Sequence, residues 1–79
     1  MTRTEIKAAL AGDYRIAYSV YYSMEQQAHT ALQNNQMSSY NHFKNKAAHR
    51  SAVLTGIKRA AAVLGIEEAE FMEAVNADR

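Results

Sequence analysis

Three histidines, His29, His42 and His49, with Glu25 close by, are the side chains of widest chemical range in this sequence. An imidazole exchanges a proton near neutral pH and ligates metal ions. Glu25 and His29 are four residues apart and His42 and His49 seven apart, so on helices each pair shares a face. Two long helices packed together could also set His29 near His42 or Phe43. A metal ion, however, needs several ligands converging, and the paired Glu-x-x-His signature of helical bundles is missing. His42 and His49 fall on the polar side of their helix. Solvated or tyrosine-bonded histidines are expected, with no metal and no cofactor.

Catalytic chemistry has little else to draw on. No phosphate-binding glycine loop, nucleophile elbow or dinucleotide fingerprint is present, and no cysteine supplies a thiolate. A chain of 79 residues also has little room for an enclosing pocket. The chain is expected not to be an enzyme.

Charge is sharply segregated. Up to residue 25, Arg3, Lys7 and Arg15 balance Glu5, Asp13 and Glu25. Residues 26–66 carry Lys44, Lys46, Arg50, Lys58 and Arg59 with no acid at all. Residues 67–79 then hold Glu67, Glu68, Glu70, Glu73 and Asp78 against Arg79 alone. Such runs ordinarily solvate helix faces, but they also make an electrostatic surface for a partner. His42, Lys46, His49 and Arg50 lie along one flank of the basic helix, and Lys44 and Lys58 along another. The candidate partner-binding set is Lys44, Lys46, His42, His49, Lys58, Arg59 and Tyr40.

The elements that must position these residues are all helical. There is no proline, and strand formers never alternate with polar residues for long. Thr2 and Glu5 have capping-box spacing, predicting a short first helix to about Ala11, ended by Gly12. Asp13 is then placed to cap a second helix running to about Gln33. Asn34-Asn35 breaks it, Ser38 or Ser39 caps a third helix to Leu64, and Gly65 with apolar Ile66 reads as a C-terminal cap. A short fourth helix covers roughly Glu67 to Asn76.

Both long helices carry apolar seams: Tyr14, Ala17, Tyr21, Met24, Ala28 and Ala31 on one, with Tyr18 and Leu32 flanking, and Tyr40, Phe43, Ala47, Leu54, Ile57, Ala61 and Leu64 on the other. The expected fold is a single all-α domain over residues 1–79. An antiparallel helical hairpin of two long helices is flanked by short N- and C-terminal helices. Glu25 and Arg50 interrupt the two seams. A turn over 34–38 sets position 25 opposite about 47, within a helical turn of 50, so a Glu25–Arg50 ion pair that fixes the register is expected. Ala52, Val53, Gly56, Ala60 and Val63 form a small-residue strip away from the seam, which either the terminal helices or a second copy would cover. Self-association through this strip, giving a homodimer, is the expectation.

The segment from Ile57 to Ala74 resembles a helix-turn-helix pattern, with Ala61 four residues before Gly65 and Phe71 packing back. That resemblance would send the last helix into a DNA groove. Its sequence, Glu67-Glu68-Ala69-Glu70-Phe71-Met72-Glu73, would press four acids on a polyanion, which argues against groove reading.

No signal peptide and no apolar run of the ~20 residues a membrane span requires are recognisable, so a cytoplasmic protein with no membrane partner is expected. The functional expectation is a small non-enzymatic helical interaction protein that regulates or inhibits a larger protein by occupying its surface. Compact phage and mobile-element proteins, including inhibitors of bacterial defence nucleases, fit these bounds. The alternative is a nucleic-acid-binding regulator using the basic helix.

Overall fold

Thr2 opens the first helix as the spacing predicts: its hydroxyl accepts from the Glu5 amide at 3.1 Å, and the Glu5 carboxylate accepts from the Thr2 amide at 3.3 Å. The structure, a computed structural model, describes residues 1–77. Regular structure among the described residues is entirely helical: α1 spans Arg3–Gln33, α2 Met37–Val63 and α3 Glu68–Asn76. None of these helices is long and apolar enough to cross a membrane.

Helix α1 corrects one expectation. It runs unbroken through Gly12 and Asp13, so there is no separate first helix and Asp13 caps nothing. Glycine in a helix interior costs roughly 1 kcal/mol relative to alanine. Buried Ala11, Tyr14 and Ala17 share one continuous face on either side of it, and their packing offsets that cost.

The two helix ends that follow are both glycine-type caps, one of them without glycine. Asn35 has φ 57° and donates to the Leu32 carbonyl at 3.2 Å, while Gln36 donates to Ala31 at 2.8 Å. Asparagine tolerates this left-handed conformation better than other side chains, which explains why the helix stops there. Gly65 repeats the pattern at φ 80°, with Gly65 donating to Ala62 and Ile66 to Ala61, both at 3.0 Å. Ile66 folds back on the last turn and is buried. The serines expected to cap α2 do not: Gln36 is the capping residue and Ser38 and Ser39 lie inside the first turn.

Helices α1 and α2 pack along each other over an alanine-rich seam. Ala28, Ala31 and Ala47 are each 3% exposed or less, so near the connection the fully buried contacts between the helices are alanine methyl groups. Larger side chains come together toward the other end. Phe71 of α3 is fully buried, its ring 5.6 Å from that of Tyr14 and perpendicular to it. Leu54, Ala61, Ile66 and Val75 complete this core, with Leu10, Tyr21, Val53 and Ile57 packed against it. The molecule is elongated, 49 × 23 × 19 Å, with a radius of gyration of 15.1 Å. A compact chain of this length would have about 12 Å.

Candidate interaction surface

The acid-free segment places its cations on α2, and the structure separates them into three groups. Lys44 meets Glu25 of α1, its ammonium donating to both carboxylate oxygens at 3.0 and 3.1 Å. That hydrogen bond is the main reason the Lys44 pKa is raised. His29, Tyr40, Ala28 and Leu32 line the same small cleft. Lys58 meets Glu68 in the first turn of α3 at 3.0 Å, which raises its pKa in the same way. Arg59 is exposed beside it, over a cleft lined by Thr55, Ala62, Ile66 and Phe71.

The third group is different. His42, Lys46, His49 and Arg50 come together with Asn45 along one side of a groove of about 510 Å³, and Val20 and Met24 of α1 line the other. No carboxylate among the described residues lines it. Neither Lys46 nor Arg50 has an ion pair among the described residues. The Phe43 ring lies 5.4 Å from that of His42, nearly edge-on, and steadies the imidazole at the rim. Lys44 and Lys58 are thus neutralised by acids of neighbouring helices, and the uncompensated positive charge of α2 gathers in this groove and at Arg59.

The expected Glu25–Arg50 pair is therefore corrected to Glu25–Lys44. The connection is only Asn34 to Gln36, shorter than the turn over 34–38 that the spacing suggested. Position 25 consequently faces 44 rather than 47, a displacement of about 4.5 Å along the axis. Arg50, still at its seam position and half-buried, faces Val20 and Met24 instead. In this register His29 lines the cleft of Tyr40 and Lys44, while His42 lines the groove of Lys46 and Arg50.

Of the small-residue strip, Ala52, Gly56 and Ala60 are exposed, Val63 is 81% exposed, and Val53 belongs to the edge of the core. A Cβ at Gly56 would meet nothing within 4 Å. Helix α3 and the first turns of α1 do not cover this strip, because Phe71 and Val75 pack into the core with Tyr14 on another side.

Two features were not anticipated. Arg3 grips Glu70 through both carboxylate oxygens at 2.8 Å and reaches the Gly65 carbonyl at 3.2 Å, while Lys7 adds a contact to Glu70 at 3.1 Å. These cations hold the Glu70 carboxyl at about 2, well below its ordinary range. The i, i+4 spacing of Arg3 and Lys7 signals a shared face, but nothing local in the sequence names an acid more than sixty residues away. The second is a groove of about 440 Å³ between α1 and α3, where Tyr14, Tyr18 and Tyr22 stand one turn apart facing Met72 and Val75. Arg15 closes it, donating to the carbonyls of Ala74 and Val75 at 3.1 and 3.2 Å. The four-residue tyrosine spacing was the available signal.

Compared with known protein families, curated proteins and solved structures, the chain matches none.

Proposed function

We propose that this chain is a small, non-enzymatic helical interaction protein that regulates or inhibits a larger protein by laying the basic face of α2 on it. The observation that carries the reading is the acid-free groove holding Lys46 and Arg50, cations without an ion-pair partner among the described residues. A cation left uncompensated beside an apolar wall is poised to meet a partner's carboxylates, which steer encounter and fix orientation. Binding of nucleic acid, the alternative, gains little support. Lys44 and Lys58 are already engaged, and Lys46, Arg50 and Arg59 are few for a phosphate track.

The arrangement we favour for α1 and α2 is an antiparallel hairpin. Glu25 meets Lys44 close to the connection, while Arg3, at the far end of α1, reaches the carbonyl of Gly65 just past the end of α2. We place the protein in the cytoplasm, which its cysteine-free sequence suits. We also read the strip of Ala52, Gly56, Ala60 and Val63 as the face for a second copy.

The test is affinity capture from host extract with wild type beside the Lys46→Glu/Arg50→Glu double variant, both checked for helix content. A specific protein held by wild type and lost from the double variant is the expected result. A gel shift of single- and double-stranded DNA at low and moderate salt runs alongside. Binding of DNA that survives moderate salt, with no protein captured, would overturn the reading.

A further inference from the structure

We propose that the groove between α1 and the first half of α2 receives a carboxylate-bearing amphipathic segment of the partner, and that His42 and His49 take up protons as it binds. This rests on the basic-face reading above and adds the partner's chemistry and a dependence on pH. Val20 and Met24 give the groove an apolar wall, and both are half-buried. Methionine adapts its unbranched chain to whatever apolar group arrives. Opposite them, His42, Lys46, His49 and Arg50 stand at four-, three- and one-residue steps along α2, spanning about 12 Å of helix axis. That is a little over two helical turns, the spacing over which an amphipathic segment repeats its charged flank.

Among the described residues, the charges that line the groove with the two imidazoles are all of one sign. From α2 they are Lys46 and Arg50; α1 contributes no titratable group to the groove lining. Glu25, next to Met24, is turned to the other flank and occupied by Lys44. Helix α3 contributes no residue to this groove. Among the described residues there is thus no counter-charge in the groove, and a partner's carboxylates would bring negative groups beside His42 and His49. Negative charge favours the protonated imidazole. By linkage, a ligand that raises proton affinity binds more tightly as pH falls. An imidazole whose pKa rises one unit on complex formation contributes about a sixfold tightening between pH 8 and pH 6.

The probe is a synthetic helical peptide with leucines along one face and glutamates on both flanks, titrated calorimetrically in two buffers of different ionisation enthalpy. The expected result is binding about sixfold tighter per histidine at pH 6 than at pH 8, with net proton uptake. Amide shifts should centre on Val20, Met24, Lys46 and Arg50. His42→Asn with His49→Asn should abolish both the pH dependence and the proton uptake. His29→Asn, in the other cleft, should change neither. All three side chains are exposed, so the variants should retain wild-type helix content. Equal affinity at pH 6 and pH 8, or uptake that persists without His42 and His49, overturns the proton linkage and leaves the basic-face reading standing. A leucine-free glutamate peptide that binds as tightly overturns the amphipathic occupant. An oligothymidylate that binds more tightly than the peptide overturns the partner class. A peptide that binds at neither pH overturns this inference, while the capture experiment with Lys46 and Arg50 still reports separately on the basic face.

Discussion

At Glu70 a single half-buried carboxylate ties the first turns of α1 to α3, through Arg3 and Lys7. Its folded-state pKa of about 2 lies below the ordinary 4.5, so the clasp stabilises fully above about pH 4.5 and fades as pH falls toward 2. Glu70→Gln should lower the melting temperature by a constant amount at neutral pH. That gap should close as melts by circular dichroism are taken from pH 5 to pH 2, and half-molar salt should narrow it. A gap indifferent to pH would mean that Glu70 acts through packing instead. Single residues were unevenly legible. The Thr2–Glu5 capping box was readable because both partners lie within one turn. Glu25 was recognisable as a charge on an apolar seam, yet its partner depended on register, and register depended on how tightly Asn35 could close the connection. A difference of three positions exchanged Arg50 for Lys44.

The same contrast appears among the helices, where glycine marks an end in one place and nothing in another. Gly65 ends α2 because its backbone lies at φ 80°, where a β-carbon is strained; Gly12 sits inside α1, at an ordinary helical position. Gly12→Ala meets only the tip of Arg15 at 3.7 Å, an ordinary contact. It should stabilise by about 0.5–1 kcal/mol through the reduced entropy of the unfolded chain. Gly65→Ala should destabilise by about 1 kcal/mol or more, since alanine in a left-handed conformation costs that much. Urea titrations of the pair decide it, and a destabilising Gly12→Ala would mean that α1 bends or breaks there in solution. The existence of the long helices was legible from their periodicity, and so was the boundary at Asn34-Asn35. The false break at Gly12-Asp13 arose because end signals act locally, whereas the unbroken face of Ala11, Tyr14 and Ala17 gains its energy from tertiary packing that no local window contains.

Over the whole molecule, stability and surface are unequally shared along the rod. The accessible surface is 5438 Å², against about 4,800 Å² for an average folded protein of this mass. The excess follows from shape: α3 and the large core side chains cover one end, while around Ala28, Ala31 and Ala47 two helices meet through methyl groups. Amide hydrogen exchange should therefore be graded, with residues 22–32 and 38–48 exchanging by local opening and the amides around Tyr14, Leu54 and Phe71 only on global unfolding. Uniform protection would contradict that division of the core. The composition and helix pattern anticipated a thin core and a small-residue strip outside the seam, but whether α3 would cover that strip depends on where Phe71 docks. It docks beside Tyr14, so Ala52, Gly56, Ala60 and Val63 remain open and a second copy is the cover we infer for them. Gly56→Leu separates interface from fold, because a β-carbon there meets nothing within 4 Å and the added side chain enters open space. Sedimentation at high micromolar concentration should show a wild-type dimer and a Gly56→Leu monomer with undiminished helix content. A monomeric wild type, or a variant that still dimerises, would remove this strip from the account and leave the groove at Lys46 and Arg50 as the surface to pursue.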